Sequence, residues 1–146
     1  MFNGYQNVEA VKRTNEEFKG IENPMDLYNV LLKCWCEDTC APRLRDKWSR
    51  DNVTTGQCSI TAFLAQDIFG GEVRGIKTES GIHCYNIVNG HVFDLTSEQF
   101  GEKAATLVYD AANDPVQKRV SENHFGKEEK YRRYQYLNKM LINQIA

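Results

Sequence analysis

Residues 54–71, with the sequence TTGQCSITAFLAQDIFGG, have the pattern of a helix with a signal at each end. Thr54 and Thr55 are the predicted caps, because a threonine oxygen accepts a hydrogen bond from a free backbone N–H of the first turn. Gly70 and Gly71 predict the end of the helix, since glycine readily adopts positive φ. One buried face is predicted from apolar residues at helical spacing, namely Ile60, Phe63, Leu64 and Ile68.

Cys58 falls in the first turn of this predicted helix. The free N–H groups and the helix dipole favour a thiolate at that position. Many cysteine enzymes hold their nucleophile at a buried helix start in this way. The alternative is that Cys58 is a small hydrophobic residue of the core. The nucleophile interpretation requires a base elsewhere in the chain.

Length and composition restrict the class of protein. A chain of 146 residues is enough for one domain with one core, which we assign to residues 1–146. The formal net charge of −2 gives no field that favours nucleic acid or an anionic membrane. The sequence shows no membrane span and no signal peptide, which predicts a cytoplasmic protein. Five cysteines, an odd number, argue against a disulfide framework.

Residues 82–95 predict a β-hairpin, because Asn89-Gly90 is the strongest short hairpin signal. A two-residue turn sets the cross-strand pairs as Val88 with His91, Ile87 with Val92, Asn86 with Phe93 and Tyr85 with Asp94. Since side chains alternate along a strand, His83 and Asp94 then lie on the same face. They are diagonal neighbours at about 7–8 Å, which is close enough for an imidazole to meet a carboxylate.

The chain therefore offers Cys58 on a helix, His83 on a strand and Asp94 on the neighbouring strand. A thiol is mostly protonated near neutral pH, so a base must take its proton, and an acid partner must orient and stabilise the imidazolium. This order predicts a catalytic triad. The alternative is a core cysteine beside a structural His–Asp hydrogen bond. His91 points away from this face, and His124 has no position that the pattern assigns.

The remaining elements are assigned to packing. An N-terminal arm covers residues 1–22, and Asn23, Pro24 and Asp26 mark the start of the next helix. The later predictions are a strand at residues 72–76, a short strand at 107–109, a turn at 113–115 and a C-terminal helix at 127–145. The charges of the C-terminal helix are interpreted as a solvated face.

Cys34, Cys36 and Cys40 lie close together, and thiolates are good zinc ligands. A structural zinc site usually has two pairs of ligands, however, and no second pair is present. We therefore predict no metal and no cofactor, with a zinc-stabilised regulator as a further alternative. The basic run at residues 42–50 contains Trp48, which could line a substrate cleft or anchor a solvated connector.

Several segments together resemble a known family, over roughly residues 30 to 137. They are GQCSITA at 56–62, QDIFGG at 66–71, HCYN at 83–86 and FDLTSEQF at 93–100, with Trp35, Thr39, Trp48 and Arg133-Tyr134 around them. This set resembles the YunG-like family of small bacterial proteins. The order Cys, His, Asp is similar to that of the papain-like superfamily, especially its transglutaminase-like and NlpC/P60-like branches.

The resemblance implies an α+β papain-like core, in which a nucleophile helix packs on a small antiparallel sheet. It implies Cys58 as nucleophile, His83 as base and Asp94 as orienting residue, with Gln57, Trp48 and Tyr85 as oxyanion or cleft candidates. In papain-like peptidases the oxyanion glutamine lies several residues before the cysteine, whereas Gln57 directly precedes it.

The expected activity is hydrolysis of an amide or ester, or transfer of its acyl group to an amine, through a Cys58 acyl-enzyme. The alternative is a non-enzymatic binding module that keeps the same core. The sequence predicts neither the substrate nor the oligomeric state.

Overall fold

The computed structural model of the chain describes residues 1–116 and 125–146, and its fold in these two parts is α+β. The helices are α1 (Pro24–Leu31), α2 (Cys58–Phe69) and α3 (Glu128–Ile145). The strands are β1 (Glu72–Thr78), β2 (Gly81–Val88), β3 (His91–Phe93) and β4 (Asp114–Val116). They form a four-stranded antiparallel sheet in the order β3-β2-β1-β4. Short 3-10 helices cover Tyr5–Ala10, Glu16–Phe18, Glu37–Thr39, Pro42–Lys47 and Ser97–Thr106.

Helix α2 starts later than predicted. Its N-cap is Gln57, without a side-chain cap, and the predicted capping by Thr54 and Thr55 is wrong. Gly56, at φ 69°, separates the two threonines from the helix, so they are buried in the preceding turn instead. The predicted end is confirmed, because Gly70 has φ 79° and its N–H donates to the Gln66 carbonyl at 2.8 Å.

One main core unites α1, α2, α3, the hairpin and the N-terminal arm. Trp35 is fully buried in it, and its Nε1–H donates to Thr61 Oγ1 at 2.9 Å. The arm contains two 3-10 helices, which contribute Val8 and Phe18 to the core. Phe2 and Val11, outside these helices, are buried in it as well. The remaining fully buried residues come mainly from the helices and the hairpin, including Leu27, Leu31, Ile60, Leu64, Ile68, Phe93, Leu137 and Leu141.

The hairpin has the predicted register. Strands β2 and β3 pair Val88 with His91, Ile87 with Val92 and Asn86 with Phe93, around the turn at Asn89-Gly90. Strand β3 ends at Phe93, and the next residue is held by the N-terminal arm instead. The Asp94 N–H donates to the Asn3 carbonyl at 3.0 Å, while the Asn3 N–H donates to Ser97 Oγ at 2.9 Å.

The region after the hairpin differs from the prediction. Residues 107–109 form no strand, and the predicted turn at 113–115 runs instead into strand β4. Strand β4 pairs with β1, with Arg74 opposite Pro115. Proline is tolerated there because β4 is the outer strand of the described sheet and needs no further ladder bond.

The connection from α1 to α2, residues 32–57, is closed at its base by hydrogen bonds. Gln57 Nε2 donates to the Cys36 carbonyl at 3.1 Å, and the Ala41 N–H donates to the Gly56 carbonyl at 2.9 Å. We call this segment the α1–α2 loop. In residues 1–116 and 125–146, no helix combines the length and apolar character needed to cross a membrane.

Candidate functional site

The first residue of α2 lies against the beginning of β2. Cys58 is half-buried, and its Sγ is 3.8 Å from the Ile82 carbonyl oxygen. Helix α2 packs on β2, and Asn86 Nδ2 fixes the contact by donating to the Ala62 carbonyl at 2.9 Å. This packing brings the thiol to the segment that carries His83.

His83 and Asp94 meet as the hairpin register predicts. His83 Nε2 is 2.6 Å from Asp94 Oδ2, and both side chains are buried. The same carboxylate accepts a hydrogen bond from the Tyr109 hydroxyl at 2.7 Å and another from the Thr96 N–H at 3.2 Å. Asp94 is therefore held from three sides, which fixes the orientation of the imidazole ring.

The pKa values of the site shift in opposite directions. Burial disfavours the imidazolium, but hydrogen bonds and charges of Asp94 and Cys58 outweigh burial and raise the pKa of His83 to about 10. A hydrogen bond from the Cys84 thiol, together with His83, lowers the pKa of Cys58 well below its usual value although burial opposes the change. The same contact and burial raise the pKa of Cys84. Near neutral pH these directions favour a Cys58 thiolate beside a His83 imidazolium.

Two residues of the site were not assigned a role from the sequence. Tyr109 donates to Asp94, and burial with the nearby carboxylate raises the pKa of the Tyr109 hydroxyl. Gln99 Nε2 donates to the Thr96 carbonyl at 3.1 Å and lies 3.4 Å from His83 Nδ1. Gln99 Oε1 accepts from the Gly56 N–H at 3.4 Å. Gln99 thus connects the histidine side of the site to the turn that precedes α2.

The predicted oxyanion and cleft candidates lie elsewhere. Gln57, the N-cap of α2, is completely buried, donates to the Cys36 carbonyl, and has no described partner for its Oε1. Trp48 donates from Nε1 to the Val53 carbonyl at 2.9 Å. The Tyr85 hydroxyl accepts from Asn113 Nδ2 at 3.0 Å, on the face of β2 that carries His83. Gln57, Trp48 and Tyr85 are not among the described residues that line the cleft at Cys58.

That cleft has a volume of about 600 Å³. Cys58, His83 and Cys84 lie in its wall, and apolar and cationic side chains complete it, including Phe63, Phe100, Val116, Arg43, Lys127, Lys130 and Arg133. The prediction of a purely solvated charged face on α3 is wrong for Arg133. This residue is buried, donates to the Thr39 carbonyl at 3.0 Å and pairs with Glu129 at 2.8 Å.

The other cysteines have different surroundings. Cys34 and Cys40 are buried and Cys36 is half-buried. Burial raises the pKa of Cys34 to about 11 and also raises the pKa of Cys40. Across the two described ranges, no three His, Cys, Asp or Glu side chains group in a way that would hold a metal ion. His124 lies outside the described residues.

Comparisons with known proteins give one family. The family model described as "YunG protein" matches residues 23–146. A relative from Bacillus subtilis (strain 168), described as "Uncharacterized protein YunG", is 44% identical over 71 residues. The alignment covers 49% of this chain and 57% of the relative, so it spans little more than half of that protein. No solved structure matches the chain.

Proposed function

The chain belongs to the YunG family, and we propose that it is a thiol-dependent hydrolase or acyltransferase that acts on an amide or ester. The observation that carries the proposal is that Cys58 and His83 line the wall of one cleft, while His83 is hydrogen-bonded to the buried carboxylate of Asp94. A buried His–Asp pair alone is common in protein cores. A half-buried thiol at a helix start, with a lowered pKa and with the histidine of that pair in the same cleft wall, is typical of a nucleophile.

In the proposed reaction, the Cys58 thiolate attacks the carbonyl carbon of the substrate and forms a carbon–sulfur bond. The carbon–nitrogen or carbon–oxygen bond then breaks, and the His83 imidazolium gives its proton to the leaving amine or alcohol. Water, or a second amine, attacks the thioester while His83 takes its proton. The thiolate leaves, and the proton on His83 restores the starting state. Asp94 keeps the ring oriented throughout.

The oxyanion of the tetrahedral intermediate needs hydrogen-bond donors. The first-turn N–H groups of α2, beginning with that of Cys58, have no intrahelical acceptor and suit this role. The Gln57 side chain does not suit it, because its Nε2 already donates to the Cys36 carbonyl and the side chain does not line the cleft. The proposed oxyanion hole is therefore made of backbone groups.

We also infer a papain-like core of the transglutaminase-like or NlpC/P60-like kind. The inference rests on chain order: a cysteine begins the helix that packs on the sheet, a histidine follows on β2, and an aspartate comes directly after β3. The antiparallel pairing of β2 and β3 agrees with this architecture.

The test is selective alkylation of the five cysteines. Iodoacetamide at pH 6 should label Cys58 first, because ordinary thiols with a pKa of about 8–9 are almost fully protonated there. Peptide mapping follows each cysteine, and His83→Ala should slow labelling of Cys58 alone. Half-buried Cys36 is the internal reference.

Two results would contradict the proposal. Cys58 could label no faster than Cys36, or its labelling rate could be the same in His83→Ala. Either outcome would favour the non-enzymatic binding module instead, because such a module needs no activated thiol.

A further inference from the structure

The cleft at Cys58 carries positive charge, although the chain has a formal net charge of −2. Four cationic side chains line it, and Glu129 is the one acidic side chain among its described lining residues. Glu129 is already paired with Arg133 at 2.8 Å. The described structure contains no ion pair that neutralises the other three cations, which are Arg43, Lys127 and Lys130.

Two of these cations can be placed relative to the neighbours of the thiol, and both line the same cleft as Cys58. The Arg43 guanidinium lies over the start of β2, since a Cβ placed on Gly81 would be 3.2 Å from Arg43 Nη2. Gly81 directly precedes Ile82, whose carbonyl oxygen contacts Cys58. Lys130, on α3, is close enough to Cys84 for its charge to act on that thiol. A substrate bound in the cleft at Cys58 would therefore lie in the field of both Arg43 and Lys130.

Leaving cations unpaired in a cleft is unfavourable unless something else compensates them, and clefts with one sign of charge attract ligands of the opposite sign. Resting on the proposed thiol chemistry, we propose that this site selects an anionic acyl substrate: an amide or ester with a carboxylate or similar anion near the scissile bond. Arg43 and Lys130 are the residues that determine this selectivity. Phe63, Phe100 and Val116 provide apolar contacts for the rest of the molecule.

The selectivity can be measured without knowing the substrate. Iodoacetate and iodoacetamide alkylate thiolates by the same displacement of iodide, but only iodoacetate is an anion. We expect the ratio of their rate constants to be at least about tenfold higher at Cys58 than at Cys36 of the same protein. Using a ratio cancels differences in thiolate population, because these affect both reagents equally.

Single substitutions assign the effect to the two cations. Arg43→Gln and Lys130→Gln should each lower the ratio at Cys58 by about threefold or more, and added salt should lower it in the parent. Arg50→Gln in the same loop and Lys139→Gln on the same helix are charge-matched controls that should leave it unchanged. Neither Arg50 nor Lys139 is among the described cleft-lining residues.

The outcomes separate this inference from the proposed function. If Cys58 reacts selectively with both reagents but its ratio equals that of Cys36, or does not fall in Arg43→Gln and Lys130→Gln, the selection of anions is wrong and the thiol site stands. If Cys58 reacts with neither reagent faster than Cys36 does, the thiol site itself is wrong.

Discussion

At the scale of single residues, Asp94 is the best-fixed group of the site. It is completely buried and accepts from His83, Tyr109 and the Thr96 backbone. A buried carboxylate needs such donors, because desolvation of an unpaired charge is costly. Two nearby tyrosines differ in their relation to it. Tyr109 touches Asp94, whereas Tyr85 packs edge-on against Tyr109 with ring centroids 5.0 Å apart and bonds Asn113 instead.

Tyr109→Phe is expected to destabilise the protein by about 1.5–3 kcal/mol, since a hydrogen bond to a charged group is lost. Asp94 then has fewer hydrogen-bond donors, and its negative charge acts more strongly on His83. The pKa of His83, measured from the high-pH change in the rate of Cys58 alkylation, should therefore rise. Tyr85→Phe is the matched control. It should cost about 1 kcal/mol and leave the profile unchanged. Equal pH profiles in the two variants would mean that Tyr109 does not influence His83 through Asp94.

At the scale of elements, local patterns determine α2 and the hairpin. The glycine end of α2 and the Asn89-Gly90 turn are local signals, and the two-residue turn leaves only one register. That register was sufficient to pair His83 with Asp94. The helix start was misplaced because a turn at Gly56 precedes it, and the two threonines fit a cap equally well in the sequence alone.

Other parts of the site depend on contacts between distant segments, which no local pattern contains. Strand β4 forms because β1 offers it an edge, and Arg133 is buried because α3 packs near Thr39. Gln99 gains its position from Gly56, and Tyr109 from Asp94. Residue type alone predicts neither strand β4 and the burial of Arg133 nor the contacts made by Gln99 and Tyr109.

Two glycines should respond differently to alanine: Gly71, in the connection from α2 to β1, and Gly90, in the hairpin turn. A Cβ on Gly71 would lie 2.3 Å from the Ile87 carbonyl oxygen and 3.0 Å from Val88 Cα, whereas a Cβ on Gly90 would meet nothing within 4 Å. Both residues have positive φ, so alanine costs about 1–2 kcal/mol at either position. Gly71→Ala should cost about 1–3 kcal/mol more, because backbone atoms of β2 must move.

Urea unfolding of Gly71→Ala and Gly90→Ala measures this difference directly. Similar free energies of unfolding for the two variants would mean that the α2–β1 connection does not lie against the end of β2 at Gly71.

At the scale of the whole molecule, folding stability depends on pH because the folded and unfolded chains bind different numbers of protons at Cys58 and His83. The ordinary pKa values are 6.5 for His83 and 9.0 for Cys58, while the folded pair has a lowered Cys58 pKa and a His83 pKa of about 10. Below pH 6.5 the unfolded chain holds two protons on this pair and the folded chain holds one, so stability falls as pH falls. From pH 6.5 to 9 both hold one. Above pH 9 the unfolded chain holds none, and stability falls again as pH rises.

The loss of stability below pH 6.5 is caused by the Cys58 thiolate and can be measured separately by comparing the parent with a variant that lacks this thiol. Between roughly pH 5 and pH 6.5, the parent should lose up to about 1.4 kcal/mol of unfolding free energy per pH unit relative to Cys58→Ser. In that variant the hydrogen bond and charge of Asp94 still raise the pKa of His83, so we expect His83 to stay protonated in both states over this range. Urea unfolding at several pH values tests the claim. Parallel curves for parent and variant would mean that Cys58 is not a thiolate in the folded protein.

The α1–α2 loop has a practical consequence for protein engineering. Its base is closed by the Gln57 and Ala41 hydrogen bonds, and Trp48 anchors it below the tip by donating to the Val53 carbonyl. Arg50 and Asp51, at the tip, are exposed. Loop-closure entropy grows only with the logarithm of length, at about 0.6 kcal/mol per doubling. A peptide tag inserted between Arg50 and Asp51 would therefore give a handle for immobilisation while the cleft keeps its shape.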